Sequence, residues 1–127
     1  MFSEYIAVSA GEGKYLVEAS SCRLGSDINV SVVGGTLAHI GAVSLAQFEP
    51  ERDSATVSTI TVHTHRDDVV ASFFAKAISR EMKCSVTVSA GIHVDNANED
   101  EILLLRANSA ECCRKLIAAL KAAKEDK

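Results

Sequence analysis

The histidines are the residues of this 127-residue chain whose types and spacing best suit chemistry. His63 and His65 stand two residues apart, and so do His93 and Asp95. In an extended segment, residues two apart point to the same side, with Cα atoms about 6.6 Å apart. Imidazole and carboxylate are metal ligands, so these four residues could share one metal ion. The simpler hypothesis is that they end strands and hydrogen-bond to backbone or water.

Anion binding is a second candidate, at the point where the first helix is expected to begin. His65 and Arg66 stand at this predicted start. The free N–H groups of a helix start attract anions, and the Arg66 guanidinium adds a positive charge that suits a phosphate. The competing hypothesis is an ordinary helix start whose polar groups face water.

Motifs of the common enzyme classes are absent from the sequence. None of the serines lies in a G-x-S-x-G pattern, and the glycines match neither a P-loop nor G-x-G-x-x-G. The four cysteines form no C-x-x-C pair, so they are expected to be reduced, small apolar residues of a cytoplasmic protein. We therefore expect no catalytic residue.

Composition and charge exclude two classes of partner. The net charge is −4 and the sequence pI about 5.5, without the basic stripe on which nucleic-acid binding depends. No apolar run reaches the roughly 18 residues needed to span a bilayer, and the first residues do not resemble a secretory signal. We expect neither nucleic acid nor membrane as a partner.

Hydrophobic periodicity predicts strands in the first half of the chain. Short apolar or alternating runs bounded by turn residues favour strands at residues 5–9, 14–20, 28–32, 37–46 and 54–62. Gly34 and Gly35 favour a tight hairpin turn, and residues 47–53, with Pro50, favour a loop.

The second half of the chain changes to helical spacing. Apolar residues from Val69 to Met82 predict a helix over residues 65–83, and Thr64 with Asp67 resembles its capping box. A sixth strand is predicted from residue 86 to Gly91. The rest favours a short helix over residues 99–106, capped by Asn98 with Glu101, and a longer one to residue 123 that starts at Asn108 with Glu111. A single bent helix is the alternative.

The order βββββαβα(α) predicts a single α+β domain over residues 1–127. A run of strands joined by short turns favours a mostly antiparallel sheet of about six strands. Two or three helices should pack on one face of this sheet.

Three segments resemble the signatures of one known family. Residues 34–46 (GGTLAHIGAVSLA), 63–68 (HTHRDD) and 90–97 (AGIHVDNA) look like motifs of the prenylated-flavin chaperone domain. This domain is the small D subunit associated with UbiD-type aromatic-acid decarboxylases, such as gallate decarboxylase. The resemblance spans roughly residues 34–120, and the third segment is the most specific. His63 departs from the pattern, which has glycine there.

The resemblance implies a fold related to proteasome-assembly chaperones and a cytoplasmic homodimer. It also implies a non-catalytic chaperone that binds prenylated FMN, or FMN, and delivers it to, or matures it for, a UbiD-type decarboxylase catalytic subunit. Two alternatives stay open. One is a metal-dependent enzyme that uses His63, His65, His93 and Asp95, and the other is an assembly chaperone that binds only protein.

The cofactor site that the resemblance implies draws on all three segments. Arg66 and the helix start would hold the phosphate, the histidines and Asn96 would bond the flavin's polar edge, and the glycines would let backbone approach the ligand. The implied residues are Gly34, Gly35, His39, Gly41, His65, Arg66, Gly91, His93, Asp95 and Asn96.

Overall fold

A six-stranded sheet and two helices make up the computed structural model, which describes residues 2–62 and 67–125. The strands are β1 (Phe2–Ala10), β2 (Val17–Leu24), β3 (Asp27–Gly35), β4 (Ala42–Glu49), β5 (Ser54–Thr61) and β6 (Val86–His93). The helices are α1 (Asp68–Met82) and α2 (Glu99–Glu125), and short 3₁₀ turns span Gly13–Tyr15 and Pro50–Arg52. The predicted order of elements is confirmed.

The strands lie in the order β1-β2-β3-β6-β4-β5. Four neighbouring pairs are antiparallel, and only β3 and β6 run parallel. The prediction of a mostly antiparallel sheet is therefore confirmed. The one parallel pair follows from the long connection through β4, β5 and α1, which brings β6 back between β3 and β4.

Both helices pack on one face of the sheet, as predicted. Helix α1 covers β4, β5 and β6, and α2 covers β1 and β2. The strands bury alternate residues against them, including Val30, Val32 and Val88, while Phe74 and Leu116 fill the core from the helices. The other face of the sheet carries small polar residues and five exposed apolar ones: Tyr5, Leu24, Val43, Leu45 and Ile60.

The hairpin turn predicted at Gly34 and Gly35 is wrong. Both glycines belong to β3, where Gly35 is paired with His93 of β6. The chain then leaves the sheet and crosses the end of β6 before β4 starts at Ala42, so the strand predicted from residue 37 begins late. The strand that separates β3 from β4 comes from later in the chain, and no local turn signal can show it.

The predicted break in the last helix is also wrong. Helix α2 is continuous for 27 residues. The cap at its start is confirmed, because the Glu101 N–H donates to Asn98 Oδ1 at 2.9 Å and the Asn98 N–H donates to Glu101 Oε1 at 3.1 Å. Asn108 is not a second cap: its side chain donates to the Tyr15 carbonyl oxygen at 2.9 Å.

Smaller differences concern element ends. The 3₁₀ turn Gly13–Tyr15 delays β2 to Val17, and β4 continues to Glu49 before the chain leaves the sheet. Thr64 of the predicted capping box lies outside the described residues. Among the residues described, neither helix combines the length and the apolarity needed to cross a bilayer.

Candidate functional site

One edge of the sheet gathers the described residues of the implied cofactor site. Strands β3 and β6 end at this edge, β4 begins there, and both helices start beside it. The residues it holds are Gly34, Gly35, His39, Gly41, Gly91, His93, Asp95 and Asn96. His63, His65 and Arg66 lie outside the described residues, so their positions stay predictions.

Two of the three signature segments meet through their histidines. The rings of His39 and His93 are 6.2 Å apart between centroids and nearly perpendicular, at 86°. His39 belongs to the crossing segment that joins β3 to β4, and His93 ends β6. The crossing therefore brings together residues 54 positions apart in the chain.

Asp67 belongs to the segment 63–68 and connects it to the other two signature segments. Its Oδ2 lies 3.1 Å from His39 Nε2, and its Oδ1 accepts the Ile92 N–H at 2.8 Å. The Asp67 side chain is only 7% exposed. The other ring nitrogen of His39, Nδ1, faces the Leu37 carbonyl oxygen at 3.2 Å. Both ring nitrogens of His39 thus lie within hydrogen-bond distance of an oxygen.

His93 and Asp95 present polar groups at the surface of the same edge. His93 Nε2 lies 2.7 Å from Asp95 Oδ1, and their side chains are 41% and 84% exposed. Asn96 follows with a φ of 53°, in the left-handed region that asparagine tolerates better than most residues. A ligand at this edge could therefore reach an imidazole, a carboxylate and an amide on one short segment.

The glycines at this edge leave room for the chain's own atoms. A side chain at Gly91 would collide with the His39 backbone, and one at Gly35 with the His93 backbone. A side chain at Gly41 would collide with the Asp67 carboxylate. These residues therefore allow the crossing of β6. The role toward a ligand that the resemblance implies for them stays a prediction.

A cleft of about 770 Å³ adjoins this edge on the helix side of the sheet. Ligand-binding pockets typically have about 300–1,000 Å³, mostly apolar walls and a few polar groups. The lining follows this pattern, so the residues present fit a flavin-sized group with an apolar substituent. They are Asp67, Val69, Val70, Ile92, His93, Val94, Ala97, Ile102, Leu105, Arg106 and Ser109.

The start of α2 is fixed against the turn before β2, which sets the position of one cleft wall. Tyr15 Oη donates to Glu101 Oε2 at 2.6 Å, and Lys14 Nζ lies 3.4 Å from the same oxygen. The hydrogen bond from Tyr15, with the charge of Lys14, lowers the pKa of Glu101 below its ordinary value. Ile102 directly follows this anchored residue in the helix.

The metal-site hypothesis gains no support from the part of the chain that the structure describes. There, no three His, Cys, Asp or Glu side chains are grouped closely enough to hold an ion. His93 and Asp95 lie together, but His63 and His65 fall outside the described residues. The four-residue metal site therefore stays a prediction.

Sequence reasoning missed Asp67 and the α2 wall of the cleft. Asp67 was interpreted as a capping residue and lies in the segment 63–68, but it was not predicted as a residue of the site. Ile102, Leu105, Arg106 and Ser109 follow the spacing i, i+3, i+4, i+7 of one helix face. The helix break predicted after Arg106 concealed this face.

Comparisons with known proteins agree with the fold and the signature segments. The structure is similar to a chain of a chaperone complex for yeast 20S proteasome assembly, with a TM-score of 0.59 and 15% identity over 93% of this chain and 96% of that one. At this identity the likeness shows the fold alone. Protein LpdD of Lactiplantibacillus plantarum is 28% identical over 108 residues, which cover 85% of this chain and 79% of LpdD.

A family model covers most of the chain. The model of the prenylated flavin chaperone LpdD-like domain matches residues 11–121, which include all three signature segments. The predicted resemblance is therefore confirmed, and with it the expectation of an accessory protein without catalysis. The chain belongs to the family of prenylated flavin chaperone LpdD-like domains, which are non-catalytic accessory proteins.

Proposed function

We propose that this chain binds prenylated FMN, or FMN, in the cytoplasm and delivers it to, or matures it for, a UbiD-type aromatic-acid decarboxylase. The observation that carries the proposal is the meeting of the signature segments beside a flavin-sized cleft. Family membership supports the same ligand class and implies a partner protein.

Some residues at this edge hold other parts of the chain in position, and others are free to contact a ligand. Asp67 holds the crossing segment through His39 and holds β6 through the Ile92 N–H. His93, Asp95 and Asn96 lie at the surface, where they can hydrogen-bond the polar edge of a flavin. Prenylated FMN supplies the reactive ring system to the decarboxylase. The chaperone needs only to hold and shield it.

Flavin uptake followed by transfer tests the proposal. The purified chain, incubated anaerobically with prenylated FMN and desalted, should retain the flavin absorbance near one equivalent. Mixed with a UbiD-type decarboxylase lacking cofactor, the loaded chain should restore decarboxylation faster than an equal concentration of free cofactor. His93→Ala should reduce uptake, because it removes an exposed donor or acceptor at the edge.

Arg52→Ala is the matched control. Arg52 is 79% exposed and lies at the opposite edge of the sheet, where β4 ends and β5 begins. It should leave uptake unchanged. Uptake of neither prenylated FMN nor FMN by the wild-type chain would overturn the proposal. Co-purification with a decarboxylase without any chromophore would then favour the assembly chaperone that binds only protein.

We also propose that the chain is a homodimer joined through the open face of the sheet. Tyr5 and Ile60 are 76% and 77% exposed on this face, and Val43 and Leu45 lie between them on β4. A second copy would remove these apolar side chains from water. Sedimentation equilibrium should give twice the chain mass, and Leu45→Asp should give a folded monomer. A wild-type monomer at micromolar concentration would contradict the dimer.

A further inference from the structure

We infer that the cleft between α1, the end of β6 and α2 selects the prenylated flavin over unmodified FMN, with Ile102 as part of its apolar wall and Arg106 as its cation. The inference rests on the proposed function and deepens it. It assigns ligand discrimination to residues of α1 and α2 that lie outside the three signature segments or at their ends.

The walls of the cleft come from α1, the end of β6 and α2, and most of their side chains are aliphatic. Helix α1 contributes Val69 and Val70, and α2 contributes Ile102 and Leu105. Ile102 is 41% exposed and Val69 is 45% exposed, so part of this apolar surface faces water in the free chain. An apolar ligand group that covers it gains the free energy of burial.

Prenylation adds such a group to the flavin. The polar edge, the ribityl chain and the phosphate are common to FMN and its prenylated form, and the five-carbon addition is purely hydrocarbon. Polar residues such as His93 and Asp95 can bind either form equally well. Discrimination therefore requires aliphatic surface, which the cleft supplies next to His93.

Charge favours Arg106 as the group that meets the phosphate. Both helix starts at this edge carry acidic residues. Asp67 and Asp68 lie at the start of α1, and three acidic residues lie in the first turn of α2. These carboxylates counteract the attraction of helix starts for anions. Arg106 lies one helical turn after Ile102 on the cleft face and forms no ion pair with any described residue. One ligand can thus contact both.

Anaerobic titration calorimetry with prenylated FMN and with FMN tests the inference. Wild type should bind the prenylated form about tenfold more tightly or better, since burying several CH₂ groups contributes well over 1.4 kcal/mol. Ile102→Asn, which adds polarity without charge beside Arg106, should remove most of this preference by weakening prenylated FMN alone. Arg106→Gln should weaken both ligands by a similar factor and leave the preference intact.

Leu103→Asn and Arg114→Gln are the matched controls. Leu103 is the next residue of α2, is 61% exposed and does not line the cleft, and Arg114 lies two turns beyond Arg106 and pairs with Glu111. Both should keep wild-type affinities, and circular dichroism checks the fold of every variant. Equal effects of Ile102→Asn and Leu103→Asn would overturn the inference while flavin binding stands. A wild-type chain that binds neither flavin would overturn the proposed function itself.

Discussion

Asp67 shows how one buried carboxylate can organise a site without lying on its surface. Its two oxygens serve the His39 ring and the Ile92 N–H, and its backbone carbonyl accepts the Ala71 N–H in the first turn of α1. Three pieces of chain that are distant in sequence are thus held at one point. Because the residue is nearly inaccessible, its contribution to a ligand is indirect, through the position of His39 and the end of β6.

Asp67→Ala should destabilise the fold by about 1–3 kcal/mol, because it removes the carboxylate that accepts the Ile92 N–H and contacts His39 Nε2. Asp95→Ala should have little effect, because the Asp95 side chain is 84% exposed and its partner His93 can turn to water. Urea unfolding followed by circular dichroism compares the two. Equal stabilities of both variants would contradict the organising role of Asp67.

The anchored start of α2 fixes the position of this long helix relative to the rest of the molecule. The reciprocal hydrogen bonds of Asn98 and Glu101 close the first turn, and the same Glu101 carboxylate accepts the Tyr15 hydroxyl. The Glu101 side chain therefore both caps α2 and anchors it to Tyr15. This arrangement determines where the Ile102 face lies relative to α1.

The Glu101 carboxylate should make the stability of the chain depend on pH. Its pKa is lowered in the folded state, chiefly by the Tyr15 hydrogen bond, from an ordinary value of 4.5. The resulting stabilisation is complete above the unfolded-state pKa and is lost as pH falls through the lowered folded value. Tyr15→Phe should therefore destabilise the chain more at pH 7 than at pH 3.

Urea midpoints of wild type and Tyr15→Phe at the two pH values give the comparison. Tyr5→Phe is the control, because Tyr5 is 76% exposed on the open face of the sheet, the face opposite α2. If the urea midpoints of wild type and Tyr15→Phe differ by the same amount at pH 7 and at pH 3, the Glu101 carboxylate is not involved.

Strands and helices were predictable from sequence where the signal is local. The neighbour with which each strand pairs was not. The alternation of Ile28, Val30 and Val32 shows β3 correctly because every second residue enters the core. The same pattern contains no information about whether β3 pairs with β4 or with β6. Gly34 and Gly35 thus predicted a turn, whereas their missing side chains serve a crossing that only the later strand creates.

At the scale of the molecule, the polar part of the site was predictable and the apolar part was not. The signature segments identified His39, His93 and Asp95 because sequence motifs carry them, and the structure brings both histidines together. The cleft is assembled from residues of α1 and α2 more than 30 positions apart. In sequence, Val70 and Leu105 look like any other positions of amphipathic helices.

The reactivity of the four thiols should report how tightly the folded molecule is packed. Cys112 and Cys113 are almost inaccessible, and burial raises the pKa of Cys112 to about 11 and that of Cys113 to about 12. The thiolate is the reactive form, so neither should react with a disulfide reagent at pH 8 while the chain is folded. Cys22 and Cys84 are both half-buried and should account for native-state labelling, with Cys84 alone accessible once the open face is covered in a dimer.

Counting reactive thiols in the native and the denatured chain provides the measurement. All four cysteines are free and should react after denaturation. Cys84→Ser should lower native-state labelling, whereas Cys112→Ala should leave it unchanged. A loss of native-state signal in Cys112→Ala would show that the core opens far more readily than its packing indicates.

The position of β6 has a consequence for synthesis. β6 is the last strand to be made, yet it lies between β3 and β4. A chain leaves the ribosome from its N-terminus. The β1–β2–β3 meander and the β4–β5 hairpin therefore emerge first, each with an unpaired edge that can join a neighbouring polypeptide. Until residues 86–93 follow, a nascent copy of this chaperone is itself a candidate client for other chaperones.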